Sequence, residues 1–262
     1  MARVTTASGI GIGYDEAGGG DRTPLVFLHG VGSDKSVWRR QLERFGPDRR
    51  TIAFDYPGYG YSDPAIGGMN RDDYATCILA AMTELQVDQA HICGLSLGGV
   101  IAIAMHHAWP RRVKSLIIAD SFADHPDGQA IYDRSIAASG NMRALAEARA
   151  DVLLAQPADP IVRTEVIDTM ARLDPAAYVI GAEAVWLAKQ RERANAIRVP
   201  TLVLCGMEDK VTPPALSQAL AKLIPGAQYE PIERAGHLGN IEQPEAFNTL
   251  VNAFIRGVDS RS

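Results

Sequence analysis

The chain has 262 residues, 47% of them hydrophobic, and carries 26 lysines and arginines against 31 aspartates and glutamates, a formal net charge of −5. That length supports one large core with room for an inserted subdomain, and the mild, interspersed negative charge provides no field to draw nucleic acid or an anionic membrane. No apolar run is long enough to cross a bilayer, the start Met1-Ala2-Arg3-Val4-Thr5-Thr6 opens no apolar signal core, and Cys77, Cys93 and Cys205 lie in apolar surroundings without metal spacing; these features read as a cytoplasmic chain with buried free thiols.

In chain order, Val4 to Tyr14 reads as an opening hairpin and Leu25–Leu28 as a buried strand running into His29-Gly30. An amphipathic helix spans 36–45, and the strand Thr51–Phe54 ends at Asp55-Tyr56-Pro57-Gly58-Tyr59-Gly60. Tyr74, Ile78, Leu79 and Met82 share one face of a helix over 71–85. The run Ala90-His91-Ile92-Cys93 is a strand, and the Ala-, Ile- and Val-rich run from Gly99 to Met105 is a helix. Strands follow at 113–119, 201–204 and 229–232, with helices at 214–223, stopped by Pro225-Gly226, and at 244–255. Repeated strand–helix alternation with short apolar strands predicts an α/β fold, a mostly parallel central sheet with helices on both faces.

Residues 121–198 break that rhythm. Three helical patterns replace strands, marked by Met142, Leu145, Val152 and Leu153, then Val166, Ile167, Met170 and Leu173, then Val179, Val185 and Trp186, with proline breaks at 157, 160 and 175. The expected organisation is a core of 1–120 and 199–262 with a helical lid at 121–198 over the C-terminal ends of the strands, where sites form in such sheets. The plainer alternative is a peripheral helical excursion.

Between the strand at 90–93 and the helix after it stands Gly94-Leu95-Ser96-Leu97-Gly98. Small neighbours let a strained turn double back, so the serine hydroxyl is presented at a helix N-terminus. A serine needs a base. Among six histidines, His237 in Arg234-Ala235-Gly236-His237-Leu238-Gly239-Asn240 follows the last strand and fits the expected chain order, whereas His91 lies in a strand and His106 and His107 fall late in a helix, toward solvent or the helix terminus. A carboxylate must orient that base. Asp209, in Cys205-Gly206-Met207-Glu208-Asp209, is the first candidate and Asp120, ending the preceding strand, its rival; Asp55 is expected to hold the turn 56–62 through backbone hydrogen bonds. The backbone N–H groups of Val31 and Leu97 are candidates for an oxyanion hole. The Gly30-Val31-Gly32 turn lacks the Lys-Ser/Thr ending of a phosphate loop, no metal-ligand motif is visible, and no cofactor is expected.

Taken together, His29-Gly30, the Asp55–Ser62 turn, the Ser96 elbow, the Asp209 loop and the His237 loop resemble the α/β-hydrolase superfamily, in its order and across nearly the whole chain. Within it, Cys93–Gly99, the lid of about eighty residues and Gly236–Glu242 look like the 3-oxoadipate enol-lactonase branch, although Leu97 stands where that branch more often carries Met. The resemblance implies a serine hydrolase that opens a small lactone or carboxylic ester through an acyl-enzyme, with Ser96 attacking, His237 shuttling the proton and Asp209 completing the triad. Phe122, Trp186, Leu153 and Met170 are then candidate pocket liners, against the plainer expectation that they pack in the core. His125 and Arg134 are candidates to meet a substrate carboxylate, against that of solvated side chains. The same three residues would serve a C–C bond hydrolase of ring-cleavage products or a general carboxylesterase. A ligand-binding receptor with slow or no turnover is the alternative of another class. Ser96 in place of an aspartate disfavours a haloalkane dehalogenase. The partner expected is a small ester or lactone, and pairing of two copies through the lid as a homodimer is left open.

Overall fold

Runs of Val, Ile, Leu and Phe only four to seven residues long cannot bury themselves as helices, and they pair instead. The computed structural model describes residues 2–261. Its described residues contain eight strands: β1 (Ala2–Thr5), β2 (Gly11–Ala17), β3 (Leu25–Leu28), β4 (Thr51–Phe54), β5 (Ala90–Leu95), β6 (Val113–Ala119), β7 (Thr201–Gly206) and β8 (Gln228–Ile232). They form one sheet in the order β1-β2-β4-β3-β5-β6-β7-β8. The pairs β1–β2 and β2–β4 are antiparallel and all the others parallel. Strands β3, β4, β5 and β7 are buried at every position, as strands covered on both faces must be, whereas the edge strands β1 and β8 keep exposed positions.

The helices that cover the sheet are α1 (Arg39–Phe45), α2 (Arg71–Glu84), α3 (Leu97–Ala108), α9 (Pro214–Leu223), α10 (Gly239–Glu242) and α11 (Pro244–Asp259). Asn70 opens α2 with a capping box, accepting from the Asp72 N–H while the Asp73 side chain accepts from the Asn70 N–H. Helix α3 is apolar all round and lies against β3, β5 and β6 beneath α2. Phe247, Val251, Phe254, Ile255 and Val258 make the buried stripe of α11, which packs on α1.

Between β6 and β7 lie five helices: α4 (Gly128–Ala138), α5 (Met142–Leu153), α6 (Pro160–Ala171), α7 (Pro175–Trp186) and α8 (Arg191–Asn195). The three apolar patterns fall on α5, α6 and α7. Helix α4 buries only Gly128 and Ser135 and α8 is five residues long, so neither carries an apolar period that a sequence reading can detect. Helix α5 packs on α6, and α7 bridges α4 to α2 and α3.

Strand ends are aligned across the sheet. Leu28 pairs with Gly94, Leu95 with Ala119, Ala119 with Leu204 and Gly206 with Ile232. One rim therefore carries the loops after β3, β5, β6, β7 and β8. Chain direction across the sheet reverses at β3, which has β4 on one side and β5 on the other; that is where crevices open in parallel sheets.

At the opposite end, His91 is fully buried and bonded on both ring nitrogens, Nδ1 to Ser115 Oγ at 2.7 Å and Nε2 to Asp259 Oδ1 at 3.0 Å, with Arg49 on the other oxygen of Asp259 at 2.9 Å. Burial dominates over the nearby Asp259 charge and lowers the His91 pKa from 6.5 to about 4. The unfolded chain therefore takes up this proton first as pH falls. Stability is fully present above pH 6.5 and declines through the window down to pH 4, by about 3 kcal/mol from this group. Urea melts of wild type and His91→Gln at pH 7 and pH 4 should show a smaller acid loss in the variant; equal losses would remove His91 as the cause.

Candidate active site

The tight turn between β5 and α3 depends on two glycines for space. A Cβ on Gly94 would run into the Gly98 carbonyl oxygen, and one on Gly98 into that of Leu28. Between them Ser96 is held at φ +55° and ψ −114°, outside the regions a serine normally adopts, at a cost of about 1–3 kcal/mol. The turn is fastened by the Ser96 N–H donating to Ala119 O at 2.9 Å and by Ser121 Oγ donating to Ser96 O at 2.8 Å. Alongside it runs the loop after β3: a Cβ on Gly30 would stand 3.5 Å from Ser96 Cβ. Among the described residues, neither the Val31 nor the Leu97 N–H is spent on a protein acceptor.

Asp209 sits in the loop after β7, buried, with both oxygens engaged. Oδ1 accepts the N–H groups of Val211 and Thr212 at 2.7 and 2.9 Å; Oδ2 accepts the Thr212 hydroxyl at 2.6 Å and lies 2.8 Å from His237 Nδ1. Burial alone would raise its pKa. The His237 ring and the Thr212 donors outweigh that and hold it below the ordinary carboxylate value. A carboxylate on Nδ1 makes that nitrogen the donor and leaves Nε2 as the acceptor. His237 is fixed from its backbone too, its N–H donating to Leu153 O at 2.7 Å.

Asp120, the rival carboxyl, is present at the same rim. It is fully buried, at φ +48°, with Oδ1 accepting the Gly206 N–H at 2.8 Å and Oδ2 without a partner among the described residues. Burial, reinforced by the charge of Asp209, pushes its pKa well up and so favours its neutral form. Asp120, Cys205 and Asp209 cluster closely enough to suggest a cation site, but they do not suit one. Asp209 is committed to four donors, and burial pushes the Cys205 thiol far above the range in which it ionises. Asp55 holds its turn as expected, accepting the Tyr61 N–H at 2.9 Å, and adds a buried ion pair with Lys35 at 2.7 Å.

Ser96 and His237 open on one cavity of about 310 Å³, lined from the core by Gly30, Val31, Leu238 and Ile241 and from the helical insertion by Leu153 and Val166. Its mouth is charged. Arg39, Arg40, Arg149 and Arg172 line it together with Glu165 and Asp168. Glu165 is shared by Arg39 and Arg40, and Asp168 is taken by Arg143. Among the described residues Arg149 and Arg172 have no ion-pair partner.

Phe122, His125 and Trp186 lie elsewhere. They stack on one another, Phe122 on Trp186 at 5.8 Å and His125 edge-on to both at 5.2 and 5.6 Å, all buried, and none lines this cavity. For Phe122 and Trp186 this packing is the plainer expectation; for His125 it is neither the substrate contact nor the solvated side chain expected, since the ring is buried against the other two. Met170 packs against Gly32, and Arg134 is exposed on α4, away from the cavity; only Leu153 of these candidates lines it. His106 is buried in the last turn of α3, at the helix terminus rather than in solvent. The mouth arginines carried no sequence signal, because four of many scattered arginines become neighbours only when α1, α5 and α6 meet.

The family profile described as the α/β hydrolase fold matches residues 23–244. The chain is 29% identical to 3-oxoadipate enol-lactonase 2 of Acinetobacter baylyi over 272 residues, covering 96% of this chain and 95% of that one. It is 29% identical to a 2-hydroxymuconate semialdehyde hydrolase of Pseudomonas over 277 residues, covering 99% and 95%. The crystal structure of the enol-lactonase from Burkholderia xenovorans superposes with a TM-score of 0.90 at 26% identity, over 97% of this chain and 100% of that one. With the profile matched from before β3 to the start of α11, the chain belongs to the α/β-hydrolase fold family.

Proposed function

We propose that this protein is a serine hydrolase that cleaves a small carboxylic ester or lactone through an acyl-enzyme. The observation that carries the reading is the strained Ser96 opening on the same cavity as a histidine whose far nitrogen is bonded to a buried carboxylate. Ser96 Oγ attacks the acyl carbon as His237 Nε2 takes its proton. The free Val31 and Leu97 amides receive the oxyanion, each worth about 10²–10³ in rate. His237 returns the proton to the leaving oxygen, which stays tethered when the substrate is a lactone. A water, deprotonated by the same histidine, then releases the acid. Residues 121–198 act as the lid, since Arg149, Leu153, Val166 and Arg172 supply one wall of the cavity.

The charged mouth favours an anionic substrate. The protein is negative overall, so four arginines against two carboxylates at one opening is a local reversal that would steer an anion inward. The experiment compares p-nitrophenyl acetate with the mono-p-nitrophenyl ester of succinate, with stoichiometric labelling by a fluorophosphonate located by mass spectrometry. Label on Ser96, multiple turnovers per site and a roughly 10-fold higher kcat/KM for the anionic ester that shrinks with added salt are expected. A single burst without turnover would favour the ligand receptor. The relative named as a semialdehyde hydrolase keeps C–C bond cleavage as the second reading. A vinylogous dienone acid cleaved faster than either ester would select it.

A further inference from the structure

The loop that bears His237 is held by a side chain that no step above uses. Glu242, on α10, is largely buried and spends its carboxylate on three backbone amides. Oε2 accepts the Gly236 N–H at 2.9 Å and the Leu238 N–H at 3.3 Å, one on each side of His237. Oε1 accepts the Ala155 N–H at 2.7 Å, from the segment that follows α5 in the helical insertion. A second strap runs alongside, from the His237 N–H to Leu153 O at 2.7 Å. The fit leaves no room for drift, because a Cβ on Gly236 would stand 2.6 Å from Leu153 O and 2.7 Å from the Ala155 nitrogen. The segment at the other end of these straps reaches the cavity, where Leu153 and Arg149 form part of the wall.

We infer that Glu242 is a positioning residue that locks the His237 loop to residues 153–155 of the insertion, so that the base and the cavity wall keep one geometry. The inference rests on His237 being the base, as in the reading above. The reason for a carboxylate is its donor count. Three N–H groups converge on two oxygens, and a carboxylate is the one side chain of this length that only accepts. Glutamine would turn an NH₂ toward at least one of those amides, leaving it unpaired and setting donor against donor. Burial raises the pKa of Glu242 despite the three amides that favour its charged form, so those hydrogen bonds offset only part of the cost of partly burying the carboxylate. Loss of the lock would be felt in the chemical step, since a displacement of about 1 Å at a catalytic group costs on the order of 10²-fold.

The test uses full-length Glu242→Gln and Glu242→Asp with p-nitrophenyl acetate, a neutral ester too small to depend on the mouth arginines. A core variant in α11, Ile255→Val, serves as a control for a general loss of stability. Glu242→Gln is expected to lower kcat about 10- to 100-fold with KM within about threefold, and Glu242→Asp, which keeps the charge but is one methylene shorter, is expected to lose less. The downfield proton resonance of the His237 Nδ1–H, bonded to Asp209, is expected to broaden in Glu242→Gln as the loop opens to water, and to stay sharp in Ile255→Val. Should Glu242→Gln fail to fold, Glu242→Asp carries the same comparison. Wild-type kcat and a sharp resonance in both Glu242 variants, with only the melting temperature lowered, would overturn the inference and leave the hydrolase reading intact. Turnover by Ser96→Ala would instead remove the reading on which it rests.

Discussion

Ser96→Ala is expected to lower kcat for p-nitrophenyl acetate by at least about 10⁴-fold and to abolish the pre-steady-state burst, with KM changed by no more than a few-fold. On the proposed mechanism the substitution removes the one atom that forms the covalent bond. What remains is the cavity and the two free amides, which by themselves still accelerate hydrolysis by about 10³–10⁴ over water in enzymes of this chemistry. A small residual rate is therefore consistent with the mechanism, whereas an acyl-enzyme is not. The fold should be indifferent to the change. The turn is fastened through the Ser96 backbone, by Ser121 Oγ on its carbonyl and Ala119 O on its N–H, and alanine at φ +55° bears strain similar to that of serine. A melting temperature within a few degrees of wild type, together with the rate loss, separates chemistry from unfolding. Retention of a tenth or more of wild-type kcat would end the proposal for Ser96.

The rim was legible in the sequence because its parts are locally determined. The elbow glycines are dictated by close backbone approach, and the ends of β5, β7 and β8 by where apolar runs stop. Ser96, Asp209 and His237 could thus be placed on loops at one sheet edge before any packing was known. The contents of the insertion were not legible in this way. Whether Phe122, His125 and Trp186 face a cavity or one another depends on how α7 docks against α4, a tertiary choice that leaves no mark on residue spacing. The same holds for Arg149 and Arg172, which become a mouth only when α5 and α6 are brought over α1. Glu242 was visible as part of the Gly236–Glu242 motif, but its work is defined by a partner nearly ninety residues away, Ala155. Lys35 is similar: nothing local says that its ammonium is buried against Asp55.

Asp209→Asn is expected to cost about 10⁴-fold in kcat near neutral pH, nearly as much as Ser96→Ala. The loop should survive, because an amide oxygen can still accept from the Val211 and Thr212 N–H groups as Oδ1 does now. The damage falls on the other side. An NH₂ facing His237 Nδ1 makes that nitrogen an acceptor, which puts the ring proton on Nε2, toward Ser96, so the base arrives already protonated at the wrong place. Asp120 is the group placed to rescue it, since it stands at the same rim. Its own bonding argues against this: Oδ1 is engaged by the Gly206 N–H, and burial beside Asp209 favours the neutral carboxyl, the form that cannot stabilise an imidazolium. Removing the charge of Asp209 relieves only the second of those causes. Burial, the larger, remains. Asp120→Asn alone should therefore leave kcat within about tenfold of wild type, the effect of a disturbed neighbour rather than of a lost partner. The double variant should match Asp209→Asn. If instead Asp209→Asn kept more than a tenth of the activity while Asp120→Asn lost it, the orienting carboxylate would be Asp120, and the hydrogen bond between His237 and Asp209 would be a feature of the resting enzyme alone.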